Sequence, residues 1–525
     1  MWRSVPGRNG GSKIMAMPDP ELDLDDVPTK SKPLRTLEEA KWIRKGYVLA
    51  TLALLTLFLL SGFGFTHIGH GTTSLAAPTI LSYLRTLNAD LRTTRADYEE
   101  IYPEFESSVF TDFNPPAWNA TTDGCNPNSA KLKVFMYDLP AQFHYGMLAE
   151  DEHLFDKTQT WPRNVTAMPH YPGGLYQQHS PEYWLISDVL TSDMPDRTSP
   201  CTAFRVRDWQ VADVILVPYF ASLSYNKYSR QIGTKRHSLD RNQELQAELL
   251  AFLKAQPAWT ARREDHVVVI HHPNSMVAMR KEFRRVMFVV ADFGRYGSEV
   301  ANLMKDVVAP YKHVIPSFSE DTNAAASFNS RPTLLFFQGA IVRKEGGVIR
   351  QQLYNLLRRE PDVVFATGAT TSAGIRSATT GMRGSKFCLH LAGDTPSSNR
   401  LFDAVASHCV PLIISDEIEL PFEDVLDYSQ FCIFVNASDA LRKGFVTNLL
   451  RTFPVEDWAR MHARLREVSR HFEWQHPSEA GDAVHMTWEA IARKVPALTL
   501  SRHKRQRYAR SQLADTPPAP NVAIL

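Results

Sequence analysis

The stretch Ser385-Lys-Phe-Cys-Leu-His-Leu-Ala-Gly-Asp394-Thr-Pro-Ser-Ser-Asn-Arg400-Leu-Phe-Asp403-Ala404 decides how the rest of the chain is read. Phe387 to Ala392 is an apolar run that reads as a buried strand, and Gly393 ends it in a polar turn. Thr395 offers an N-cap hydroxyl, Pro396 suits a first helical position, and Leu401, Phe402 and Val405 begin an apolar helical face. The expected unit is strand, tight loop, helix. A helix start points unpaired N–H groups and positive dipole at one spot, which suits a diphosphate, and Arg400 adds charge one turn in. An ordinary strand-to-helix connection has the same local signature, so the neighbourhood has to separate the two.

On either side of this stretch, short apolar runs alternate with helical and polar segments. Val134–Tyr137, Val214–Phe220, His266–Ile270 and Val286–Val290 form a first series. After the connection Asp306–Tyr311, a second series comprises Leu334–Phe337, Val363–Phe365, Phe387–Leu389, Val410–Ile414 and Cys432–Val435. Runs that are apolar throughout and separated by helices predict parallel sheets covered on both faces. The fold class is therefore α/β, with two Rossmann-like domains facing a cleft, residues 131–310 and 311–500. Ligand is expected outside the carboxyl ends of the strands. Helices are predicted at Val455–Phe472 and Asp482–Lys494, and residues 501–525 read as a disordered basic tail.

Residues 1–45 are polar and proline-dotted and read as a tail. Gly46 to Phe65 runs for about twenty residues without a charge, long enough at ~1.5 Å per residue to cross a ~30 Å hydrocarbon layer. Lys41, Arg44 and Lys45 precede this span and no Lys or Arg follows until Arg85, which places the N-terminus in the cytosol and the rest in a lumen. Residues 66–130 read as a stem. The sequons at Asn119, Asn164 and Asn436 all fall on the luminal side. The five cysteines include no CxxC pair and no zinc spacing, so no metal site is expected. Cys388 and Cys409 fall on neighbouring predicted strands, and a disulfide and two buried thiols both remain open.

Several polar clusters follow the predicted strands. After Phe337 comes Gln338-Gly-Ala-Ile-Val-Arg343-Lys344, two cations suited to neutralising a diphosphate or to facing water. After Ile414, Asp416 and Glu419 are placed to take ribose hydroxyls or to cap a helix. His271 and His272 end a first-series strand, and strand alternation sends at most one of them to the cleft. His272 and Asp138 are the candidate catalytic groups, with Tyr219, Ser222 and Asp292 behind them. A net charge of +1 with scattered basic residues argues against nucleic acid as a partner. No GxGxxG after a strand, Walker loop or Gly-x-Ser-x-Gly elbow is present, which disfavours nicotinamide, P-loop and esterase chemistry.

The segments Val134–Pro140, Tyr176–Trp184, Ala212–Pro218, His271–Ser275, Phe337–Ala340, Gly393–Asp403 and Ile414–Phe422 resemble the exostosin family over about Lys131 to Leu498, nearest its plant-type arabinan arabinosyltransferases. The resemblance implies a GT-B glycosyltransferase, a Golgi type II single-pass membrane protein holding a nucleotide sugar in its second domain and a glycan acceptor in its first. By motif position it suggests Arg343, Lys344, Ser397, Ser398, Arg400 and Glu419 as donor-side residues, with Thr395 in the same loop. The sequence departs from the family pattern in its basic C-terminal tail and in Phe135-Met136. The expected activity is transfer of arabinose from a UDP-sugar to a cell-wall polysaccharide such as pectin, without metal. Galactose, xylose and glucuronic acid are the alternative sugars. A catalytically silent subunit of a Golgi complex is the alternative role, and homo- or hetero-oligomer formation is left open.

Overall fold

The computed structural model describes residues 124–148, 161–174, 176–229, 241–318, 328–343, 347–368 and 371–514. The N-terminal residues 1–45 read as a cytosolic tail, the apolar span 46–65, most of the segment read as a stem, Asn119, Lys344 and residues 515–525 lie outside the described residues. Among the described residues no helix is long and apolar enough to cross a membrane.

Two parallel sheets form the core. The first contains β1 (Leu132–Met136), β2 (Ala203–Val206), β3 (Val214–Val217), β4 (His266–Val269), β5 (Met287–Val290) and β6 (Val307–Val308), in the order β2-β1-β3-β4-β5-β6. The second contains β7 (Thr333–Gln338), β8 (Val363–Ala366), β9 (Ser385–Leu391), β10 (Val410–Ile414) and β11 (Ile433–Phe434), in the order β11-β10-β9-β7-β8. Every strand pair is parallel. Each sheet begins with a strand whose successor lies on one side and whose third strand lies on the other, so each has a topological switch point, β1/β3 and β7/β9. The central strands are apolar because both faces are covered: all four residues of β3, β4 and β5 are buried.

Two strands escaped the sequence reading. β2 alternates in burial and carries Arg205, which interrupts its apolar run, and β6 has two residues inside what was read as a connection. The C-terminal end also differs from expectation. The helix predicted to stop at Lys494 runs Ala483–Ala514, so residues 501–514 are helical rather than disordered, and Pro496 lies inside the helix. Lys494 Nζ contacts the carbonyl of Leu303, Arg502 pairs with Asp265 and Lys131 pairs with Glu489. This helix thus packs back on the first sheet, and those tertiary contacts outweigh the local break at proline.

Two disulfides staple the chain. Cys388 and Cys409 are bridged with their Cα atoms 5.7 Å apart, and Cys125 is bridged to Cys201 with Cα atoms 5.0 Å apart. The second bridge holds the end of the predicted stem against the first sheet. Cys432 is a buried free thiol. Asn164 and Asn436 are exposed, as sequons in use need to be.

Candidate active site

The loops at the carboxyl ends of both sheets surround a cavity of about 390 Å³. From the second sheet come Ala340 and Arg343 after β7, and Gly393 to Arg400 after β9. From the first come His272, Pro273 and Asn274 after β4, Arg295 after β5 and Tyr311 after β6. His179 and Tyr225 complete that side. Its lining includes four guanidiniums, from Arg295, Arg343, Arg350 and Arg400, and one carboxylate, Asp394.

The loop after β9 is built differently from its sequence expectation. The helix begins at Arg400, not at Thr395, and spans seven residues, Arg400–Ala406. Thr395 caps nothing: its hydroxyl donates to Asp292 Oδ2 at 2.6 Å, and the Ser397 N–H reaches the same oxygen at 3.3 Å. Asp292 follows β5, so this buried carboxylate ties the second sheet's loop to the first sheet. Burial raises the pKa of Asp292, opposed by the hydrogen bonds from Thr395, Gly294 and Ser397. Gly294 permits the approach, because a Cβ there would stand 2.3 Å from Pro396 Cδ. A loop committed to joining the two sheets leaves the arginines, rather than a helix dipole, as the main positive charge of the cleft.

Arg350 was not singled out in the sequence, yet it organises that charge. It is buried, and it donates from Nε to Ala392 O (2.8 Å), from Nη1 to Ala340 O (3.1 Å) and from Nη2 to Leu391 O (3.0 Å). The loops after β7 and β9 are thereby joined across the switch point. Burial, and then the nearby Arg343 and Arg400, pull its pKa down to about 10, still protonated near neutral pH. A Cβ at Gly393 would stand 3.3 Å from Arg350 Nη2, so glycine leaves this guanidinium room. Arg400 is held by Nε donating to Gln338 O at 2.7 Å, and by Asp403 at 3.3 Å. Arg343 is more exposed, its guanidinium 3.3 Å from Asp394 Oδ2. Ser398 Oγ lies 3.3 Å from His390 Nδ1.

Apart from Arg295, the first-sheet rim is aromatic and carries imidazoles. Just beyond the end of β4, His271 is buried and His272 lines the cleft, so one of the pair reaches it. The His272 ring lies 4.4 Å from those of His179 and Tyr225, centroid to centroid. Behind it, buried Glu182 accepts the N–H groups of Ser222 and Leu223 at 2.8 and 2.9 Å, and Ser222 Oγ accepts the N–H of His272 at 3.1 Å. This backbone network fixes where the imidazole stands.

The cavity thus brings together His272, Arg343, Thr395, Ser397, Ser398 and Arg400. It does not include Asp138 or Glu419. Asp138 is exposed, accepts Trp161 Nε1–H at 2.5 Å and lies 3.6 Å from Arg205 Nη2. Following β1, it is held by the Trp161 segment and the edge strand β2 instead. Glu419 lines a separate pocket of about 360 Å³ with Glu423, Asp424, Asp306 and Lys494. The turn closed by Ile418 N–H to Ser415 O carries it away from the end of β10. Asp416 accepts the Ala437 N–H at 2.9 Å, a structural role. His179, Tyr225, Arg295, Tyr311 and Arg350 are among the cleft residues not singled out from the sequence. Arg350 left a local signal, a cation at the i position of the buried face Arg350, Leu353, Leu357, and His179 lies in the Tyr176–Trp184 segment that carries the family resemblance.

The Exostosin GT47 domain matches residues 128–452. The chain is 35% identical over 404 residues to the probable arabinosyltransferase ARAD1 of Arabidopsis thaliana, covering 77% of this chain and 86% of that protein. It is 33% identical over 401 residues to the probable beta-1,4-xylosyltransferase IRX10L of Arabidopsis thaliana, covering 72% and 84%. To the probable glucuronosyltransferase GUT1 of Oryza sativa subsp. japonica it is 23% identical over 388 residues, covering 70% and 82%.

Proposed function

The chain belongs to the exostosin GT47 family and is a glycosyltransferase, and from that premise we propose that it transfers arabinose from UDP-arabinose to a cell-wall polysaccharide in the Golgi. The observation that carries the donor part is the cleft itself: four guanidiniums against one carboxylate, at the carboxyl ends of two parallel sheets. A nucleotide diphosphate supplies the negative charge such a rim lacks, and its departure as a leaving group is eased by fixed cations. Arg343, Arg350 and Arg400 meet the diphosphate, and the chain groups of Ser397 and Ser398 border it. The acceptor approaches from the side of His272 and Tyr225. Positive charge of this density serves the leaving group without a divalent ion, so turnover is unchanged in chelator. The choice of arabinose follows the probable arabinosyltransferase relative. Anchoring by residues 46–65 with a luminal catalytic part is supported by the Lys41, Arg44 and Lys45 cluster, the exposed sequons and the two disulfides.

The full-length protein in detergent, incubated with UDP-arabinose, UDP-galactose, UDP-xylose or UDP-glucuronic acid and arabinan or galactan oligosaccharides, should yield a product one pentose heavier by mass only with UDP-arabinose. A product from another donor overturns the sugar, and no product from any donor overturns the enzymatic reading of this chain. Tags at residues 1 and 525 should lie on opposite sides of sealed vesicles, and protease protection of the N-terminal tag would refute the topology.

A further inference from the structure

Three imidazoles meet on the first-sheet rim, and their hydrogen bonds determine which nitrogen of each carries the proton. His271 is fully buried, and burial pushes its pKa down to about 3, so the ring is neutral. Its Nε2 lies 3.1 Å from the carbonyl oxygen of Ala309, which only accepts; Nε2 therefore carries the hydrogen, and Nδ1 is a lone pair. His179 Nδ1 lies 3.0 Å from that lone pair and must be the donor. Burial, and then the neighbouring His272 and His271, hold the pKa of His179 well below its usual value. A neutral imidazole protonated at Nδ1 has its lone pair at Nε2. His179 lines the cleft, and with Nδ1 engaged by His271, Nε2 is the polar atom left to it.

His272 has the opposite polarity. Its Nδ1 accepts the N–H of Asn274 at 3.1 Å, so the neutral ring carries its hydrogen on Nε2 and acts there as a donor. Two rings whose centroids are 4.4 Å apart are thus set as one acceptor and one donor at the mouth of an anion-binding cleft.

We propose that His179, rather than His272, is the general base of the transfer, its Nε2 taking the proton of the acceptor hydroxyl. The inference rests on the glycosyltransferase reading above. In the step, the acceptor oxygen bonds to C1 of the donor sugar. The bond from C1 to the diphosphate oxygen breaks with its electron pair leaving on the diphosphate, and the hydroxyl proton passes to Nε2, later to be released to water. The resulting imidazolium keeps its Nδ1–H bond to His271, so no group has to rotate. A ring of low proton affinity is unprotonated before the step, and the charge released on the leaving diphosphate raises that affinity as the proton arrives.

The test compares full-length wild type with His179→Ala and His179→Asn, the asparagine amide taking the place of Nδ1–H toward His271. Thermal melts establish that each variant is folded, and His179→Asn carries the test if His179→Ala is not. We expect kcat to fall about 10²- to 10⁴-fold, the usual contribution of a general base, with the donor KM and the UDP dissociation constant from calorimetry within threefold of wild type. Added imidazole should restore part of the turnover of His179→Ala. A folded variant with kcat within threefold of wild type overturns the proposal. So does a fall in kcat matched by equally weaker UDP binding, with no rescue by imidazole. A wild type inactive with every UDP-sugar would instead refute the glycosyltransferase reading on which the proposal stands.

Discussion

The two rims of the cleft are built from opposite materials. The second-sheet rim carries Arg343, Arg350 and Arg400, permanent cations anchored to backbone carbonyls or to aspartates around the β7/β9 switch point. The first-sheet rim carries, besides Arg295, His179 and His272 packed at tilted angles against Tyr311 and Tyr225, with His179 hydrogen-bonded to His271 and His272 to the Asn274 backbone. Arginine holds its charge at any physiological pH and binds phosphate through a planar fork, whereas imidazole changes hydrogen-bond polarity with its tautomer. One rim is suited to fixing a charge and the other to moving a proton. The difference also explains why a single run of sequence could not disclose the site: half of it is recognisable as cations, and half is a pattern of tautomers set by tertiary contacts.

The largest effect that would break this contrast lies at Arg350. Removing its guanidinium leaves three carbonyl oxygens without their donor, at roughly 1–3 kcal/mol for each buried group. Arg350→Met should therefore destabilise the protein by at least about 3 kcal/mol in urea titration and disorder the charged rim while the imidazoles keep their places. A loss under about 1 kcal/mol would show that the rim does not depend on this residue.

A second test uses pH on the segment that joins the sheets. Burial raises Glu473, but the hydrogen bond and charge of His313, the Ser317 hydroxyl and Lys312 outweigh it and hold the carboxyl down to about 2. Its folded pKa lies below the unfolded value, so the stability it contributes is present above about 4.5 and is lost as pH falls through about 2. Glu473→Gln should flatten the acid limb of the stability profile by up to about 3 kcal/mol between those values. A variant with an unchanged acid limb would show that the link between residues 312–317 and Glu473 is energetically silent.

Next in size, Arg343→Ala should lower donor-dependent turnover by about 10- to 100-fold and weaken UDP binding, since a charge-assisted bond to phosphate is worth roughly 1.5–3 kcal/mol. Arg343→Lys should recover only part of the loss, because a point charge does not replace the fork. His272→Ala sharpens the comparison. It should reduce turnover with less effect on free-nucleotide binding by calorimetry, and equal losses in both would place the nucleotide on the imidazole rim as well.

The smallest effect is expected at Glu419, which lies in a different pocket. Glu419→Ala should change turnover by less than about threefold, as surface substitutions away from a site usually do. A larger loss would mean that the donor reaches beyond the cleft.

The sequence by itself determined the parallel α/β class, nine of the strands and the loops that border the cleft, because continuous apolar runs ending in glycine and polar residues are local signals of buried parallel strands. The sequence expectation that at most one of His271 and His272 reaches the cleft agrees with the structure, which buries His271 and puts His272 in the lining. Only the tertiary structure decided where Thr395 spends its hydroxyl, since its partner Asp292 is 103 residues away in the chain. The same holds for the bond from His179 to His271, 92 residues apart, which fixes the proton on one nitrogen and leaves a lone pair on the other. Glu419 and Asp138 looked like ligands because each follows a strand, but the turn geometry after that strand, invisible in composition or spacing, sets where a side chain finally lies.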